Sequence, residues 1–95
     1  MRNYEVVFIV HPDLEESAFN DIVDRVKGWI TNSDGKISKV DIWGKRKLAY
    51  PLRKQREGQY VLMQAVMPPA LCAELERNLR LTEPVLRHLI ILEDN

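Results

Sequence analysis

Cysteine occurs once in these 95 residues, histidine twice and glycine four times, and each scarcity closes off a class of chemistry. The single thiol, Cys72, rules out an internal disulfide and suits a reducing compartment. It falls in an apolar helical stripe and reads as a small buried hydrophobe. His11 and His88 have no cysteine or carboxylate at metal-ligand spacing, so no zinc pattern is present and both read as ordinary sheet residues. There is no phosphate-cradling glycine loop, no serine-centred elbow and no pair of carboxylates in an evident apolar pocket. No enzyme, cofactor or small-molecule substrate is therefore expected. No apolar run approaches the roughly 20 residues of a membrane helix, and no secretory signal precedes Tyr4, so the expected location is cytoplasmic, with no membrane partner. An excess of one charge is missing too: 14 Lys and Arg balance 14 Asp and Glu. Any binding of nucleic acid has to be local.

What the chain does have is charge concentrated in one place. Between Gly44 and Arg56 stand Lys45, Arg46, Lys47, Arg53, Lys54 and Arg56 without an acid among them. Two readings fit this stretch. Clustered cations with an interleaved aromatic, Tyr50, suit a phosphate backbone, because each cation can displace a counterion while the ring offers a stacking surface. Lys and Pro also blunt exposed sheet edges, which would make the same stretch a solvated edge strand.

In chain order, Tyr4 to Val10 is short and rich in Val, Ile and aromatics, as a strand is. Alternation sets Tyr4, Val6, Phe8 and Val10 on one face and Val7 and Ile9 on the other, both apolar, so the strand is central. Asp13 can cap a helix, with Glu16 reaching back to the cap. Leu14, Ala18, Ile22, Val26 and Ile30 give that helix its stripe, with Phe19, Val23 and Trp29 beside it, and Asn32-Ser33-Asp34-Gly35 ends it. From Lys36 the period becomes two, with Ile37, Lys39, Asp41 and Trp43 on one side and Ser38, Val40 and Ile42 on the other. This strand is expected to run through a bulge at Gly44 to Leu52, at an edge that tolerates Pro51. A turn around Arg56-Glu57-Gly58 leads to a strand over Gln59 to Met67. Pro68-Pro69 opens a second helix with Leu71, Leu75 and Leu79 inside, Thr82-Glu83-Pro84 breaks it, and Val85 to Leu92 is the last strand.

The order strand, helix, strand, strand, helix, strand predicts one α+β domain over 1–95. It is a ferredoxin-like split β-α-β arrangement, a four-stranded antiparallel sheet with both helices on one face. The other face is left open, with Val7, Ile9, Leu62, Val66, Leu89 and Ile91 on it, and so much apolar surface points to a binding site. An acylphosphatase-like enzyme of this fold needs an anion-cradling loop where this chain has His11-Pro12-Asp13. An RNA-recognition motif needs aromatics on the middle strands, where only Tyr60 faces outward. A small-molecule-sensing regulatory domain is the alternative of a different class, though such a sensor has no use for six uncompensated cations.

Met1-Arg2-Asn3-Tyr4-Glu5-Val6-Val7-Phe8-Ile9-Val10-His11-Pro12, Trp43-Gly44-Lys45-Arg46-Lys47-Leu48-Ala49-Tyr50-Pro51-Leu52 and Val85-Leu86-Arg87 closely resemble ribosomal protein S-six of the bacterial small subunit. The resemblance implies the same split fold, no enzymatic activity, and binding to the central domain of small-subunit ribosomal RNA together with protein S-eighteen. It implies RNA contacts at Arg2 and Tyr4 of the N-terminal arm, at Lys45, Arg46, Lys47, Tyr50, Arg53, Lys54 and Arg56, and at Arg87. It also implies a protein-binding face of Val7, Ile9, Trp43, Leu48, Leu62, Leu89 and Ile91. Some relatives carry a long acidic tail, here reduced to Glu93-Asp94-Asn95.

Overall fold

The computed structural model describes Met1 to Glu93; the last two residues of the expected domain, which include most of the short acidic end, lie outside the described residues. Six elements follow one another: β1 (Arg2–Val10), α1 (Glu16–Thr31), β2 (Lys36–Leu52), β3 (Gln55–Met67), α2 (Leu71–Leu81) and β4 (Val85–Leu92). The strands form one antiparallel sheet in the order β2-β3-β1-β4, the α+β split arrangement expected.

The core lies between one sheet face and the two helices. Val6, Phe8 and Val10 of β1 and Val61, Met63 and Met67 of β3 are wholly buried. They pack with Phe19, Ile22, Val23, Val26 and Ile30 of α1 and Leu71, Leu75 and Leu79 of α2. The period of four in each helix is what aims these side chains at the sheet. Gly35 closes the α1–β2 turn because a Cβ there would lie 2.6 Å from both the carbonyl oxygen and Cγ2 of Ile30. The Gly35 amide donates to that same carbonyl at 2.9 Å.

Three local expectations are corrected. Helix α1 starts at Glu16 with Glu15 before it and no side-chain cap, because His11 organises the loop instead. The Asp13 amide donates to His11 Nδ1 at 3.1 Å and the Leu14 amide to the His11 carbonyl at 3.3 Å. Gln59 Nε2 then donates to the carbonyls of His11 (3.1 Å) and Leu14 (3.3 Å) and pins the loop to β3. In β2 the register shifts between Ile37 and Lys39, so Ile37 joins Val40 against the core rather than facing outward with Lys39 and Asp41. Ser38, the extra residue, donates its hydroxyl to the Gln64 carbonyl at 3.1 Å. The hairpin turn is Arg53-Lys54, not Arg56 to Gly58: Leu52 pairs with Gln55, and φ is +48° at Arg53 and +66° at Lys54. Two positive φ values in a two-residue loop match the twist of the flanking strands. The bulge at Gly44 is present, with φ +78° and a register shift beside it.

Candidate nucleic-acid interface

The β2–β3 hairpin outruns the rest of the sheet. β1 ends at Val10, opposite Gln59, which in turn faces Lys45. Beyond that level Arg46 to Gly58 continue as two strands with no third beside them among the described residues. Between the Lys47–Glu57 and Leu52–Gln55 pairs β2 advances five residues while β3 advances two, so Leu48 to Pro51 arch out of the ladder. Pro51, which lacks an N–H, sits in that unpaired arch. The arch, with Lys47, Arg56 and Glu57, lines a groove of about 620 Å³.

All six cations of the cluster are exposed. Among the described residues none of them has a carboxylate at salt-bridge distance; the one such approach is that of the His88 imidazole to the Glu76 carboxylate, at 3.9 Å on the helix side. Arg53 instead donates to the Glu83 carbonyl at 2.8 Å, and Arg87 donates to the Tyr50 hydroxyl. Both contacts carry the overhang toward the start of β4.

The open face runs beside this arm. Val7 lies between Leu62 of β3 and Leu89 of β4, with Val7 and Leu62 half-buried and Leu89 and Ile91 exposed. Trp43 stacks on Tyr60, centroids 5.9 Å apart and planes 15° from parallel, and Arg46 lines the hollow beside them. Tyr60, placed outward by the alternation of β3 but not among the expected contact residues, is a member of this surface. Ile9 and Leu48 close around Gly58, and Ile9 is itself buried, so it supports the face from beneath more than it presents surface.

Two of the expected RNA contacts do not join the others. Tyr4 is 8% exposed and belongs to the core. Its hydrogen bond with the Cys72 side chain, its burial and negative charge on the Cys72 sulfur push the phenol above its ordinary 10.0, with Arg2 pulling the other way. Such a ring cannot stack on a base, which corrects that expectation. Arg2 is exposed but pairs with Met67, at the end of β1 opposite Val10. Eight steps of strand put it about 27 Å from the level of the hairpin.

Among the described residues no group of three or more His, Cys, Asp or Glu is placed to hold a metal ion, and no helix is long and apolar enough to cross a membrane.

The comparisons agree with this architecture. Residues 3–92 match the family model of ribosomal protein S6. The chain is 48% identical over 90 residues to the small ribosomal subunit protein bS6 of Moorella thermoacetica, covering 95% of this chain and 92% of that one. With the protein of the same name from Clostridium botulinum it shares 47% identity over 94 residues, 99% of this chain and all of the other. The crystal structure of 30S ribosomal protein S6 from Thermotoga maritima superposes with a TM-score of 0.92 at 34% identity, covering 97% of this chain and 87% of that one. On fold and sequence together, the chain belongs to the ribosomal protein S6 family.

Proposed function

We propose that this chain binds the central domain of small-subunit ribosomal RNA with the cations of its overhanging hairpin, and that protein S-eighteen docks beside them on the open sheet face. The coarser function follows from the family: the chain is a structural constituent of the small ribosomal subunit, not an enzyme, and its place is the cytoplasmic ribosome. The observation that carries the finer reading is the run of exposed cations, Lys45, Arg46, Lys47, Lys54 and Arg56, on a projecting arm, with no carboxylate partner among the described residues. Cations left unpaired on a projection are available to phosphate, and each phosphate neutralised releases a counterion.

The neutral net charge gives little long-range steering, and a few phosphate contacts alone give weak, non-specific affinity, roughly 10⁻⁴ to 10⁻⁶ M at physiological salt. A second protein on the apolar face made by Val7, Leu62, Leu89, Ile91, Trp43 and Leu48 would add burial and further cations. RNA binding is then cooperative, with a coupling free energy of at least about 2 kcal/mol, some thirtyfold in affinity. A calorimetric titration of the RNA with and without S-eighteen tests this. Tight, specific binding by the chain alone, unchanged by the partner, would refute the composite surface.

A further inference from the structure

Two cations of the hairpin end already have partners inside the fold. Arg87 donates to the Tyr50 hydroxyl and Arg53 donates to the Glu83 carbonyl, joining residues 37 and 30 positions apart. Tyr50 and Arg53 ride on the overhang; Glu83 and Arg87 stand at the start of β4, which lies on the far side of β1. Past Gln59 the overhang has no neighbouring strand among the described residues, and a two-stranded ribbon alone is marginally stable in water. The arch from Leu48 to Pro51 delivers Tyr50 across the end of the sheet, and the turn at Arg53 delivers the second contact.

We infer that Tyr50, Arg53 and Arg87 form a clasp that positions the basic hairpin, and that Arg53 and Arg87 serve RNA binding through that hairpin rather than by meeting phosphate. The inference rests on the RNA-binding reading above. A guanidinium whose donors point inward has fewer left for phosphate, whereas Lys45, Arg46, Lys47, Lys54 and Arg56 have no competing carboxylate among the described residues. Clasped, the arm presents these five in one fixed arrangement. Unclasped, it has to be ordered when it binds, and affinity falls by the entropy of that ordering. The number of phosphates met does not change.

Salt dependence separates a clasp from a contact, because the slope of log affinity against log salt counts phosphates. The full-length protein with S-eighteen is titrated against a central-domain RNA fragment over a series of salt concentrations. Arg87→Met and Tyr50→Phe should each weaken binding by about tenfold, the factor that follows from ordering one or two side chains, with the wild-type slope retained. The double variant should be little worse than either single one, since both remove the same link. Lys47→Met, the control, should lower the slope by about one. In the free protein, amide hydrogen exchange over Leu48 to Arg56 should quicken in both clasp variants, which a phosphate contact would not produce. A slope that falls in Arg87→Met as it does in Lys47→Met, or hairpin exchange that neither clasp variant alters, overturns the inference. Failure of the wild-type protein to bind the RNA overturns the RNA-binding reading and this inference's claim on RNA with it, while exchange in the free protein still decides whether the clasp exists.

Discussion

Gly58 lies directly under Ile9: a Cβ at Gly58 would come within 2.3 Å of Ile9 Cγ2. Ile9 is only 7% exposed although it stands on the sheet face away from the helices, because the missing side chain at Gly58 lets it settle onto β3. Gly58→Ala should therefore cost about 1 to 3 kcal/mol, as overpacking does. Ile9→Ala removes the clashing methyl group, so the double variant should be more stable than the sum of the two single losses predicts, by at least about 0.5 kcal/mol. Denaturant melting of the four proteins measures it. Strict additivity would mean that the cost of Gly58→Ala comes from somewhere other than this contact.

Lys54 holds φ at +66° in the hairpin turn, a conformation that costs an L residue roughly 1 to 2 kcal/mol and glycine almost nothing. Lys54→Gly is expected to raise stability by up to about 1 kcal/mol, the greater entropy of unfolded glycine offsetting part of the gain. The same substitution removes one exposed cation from the tip of the arm and should weaken RNA binding. Higher stability with poorer binding would show strain kept for function. A stability unchanged or lowered would count against it.

The parts of the fold that could be read in advance are those where a period repeats without interruption. Leu71, Leu75 and Leu79 and the Tyr4-Val6-Phe8-Val10 face follow from spacing, and the span Val85–Leu92 follows from the break at Thr82-Glu83-Pro84. What escaped were single residues whose tertiary use overrides their usual meaning. Gly58 looks like a turn residue and is instead a strand residue that makes room for Ile9, while Arg53 and Lys54, with no glycine or asparagine to signal it, make the turn. Ser38 shifts the alternation of β2 by one with no proline or glycine within two residues of it. The candidate surface was half legible. A cluster of cations is visible in any sequence, and alternation already puts Tyr4 on the face of Val6 and Phe8, but that Arg2 sits at the far end of the sheet and that Arg87 meets Tyr50 depend on which strands are neighbours.

Tyr4 gives the fold an alkaline limit. Its phenol is raised above 10.0 in the folded protein, chiefly by the hydrogen bond with Cys72 and then by burial. A folded-state value above the unfolded one means stability that is fully present below about pH 10 and lost as pH rises through the folded value. The denaturation midpoint of the wild type should thus fall as pH climbs beyond about 10, and the fall should be shallower in Tyr4→Phe, which has no proton to lose. Parallel curves for the two proteins would show that Tyr4 does not set this limit.

The charge of the arm can be inverted without touching the core. Lys45, Arg46 and Lys47 are exposed, have no carboxylate partner among the described residues, and lie where the hairpin leaves the four-stranded part of the sheet. Exposed charges of this kind contribute little to stability, so replacing all three by Glu should move the unfolding free energy by no more than about 0.5 kcal/mol per site. The effect on RNA is of another size. If about four cations of the arm meet phosphate, the slope of log affinity against log salt is roughly −0.9 for each on a duplex; three reversals remove most of that term and replace attraction by repulsion. The triple variant is expected to melt like the wild type and to be excluded from small subunits reconstituted in competition with it. Incorporation at the wild-type level, with an unchanged melting curve, would mean that the basic hairpin is a solvated sheet edge after all, and the RNA surface would have to be sought elsewhere on the molecule.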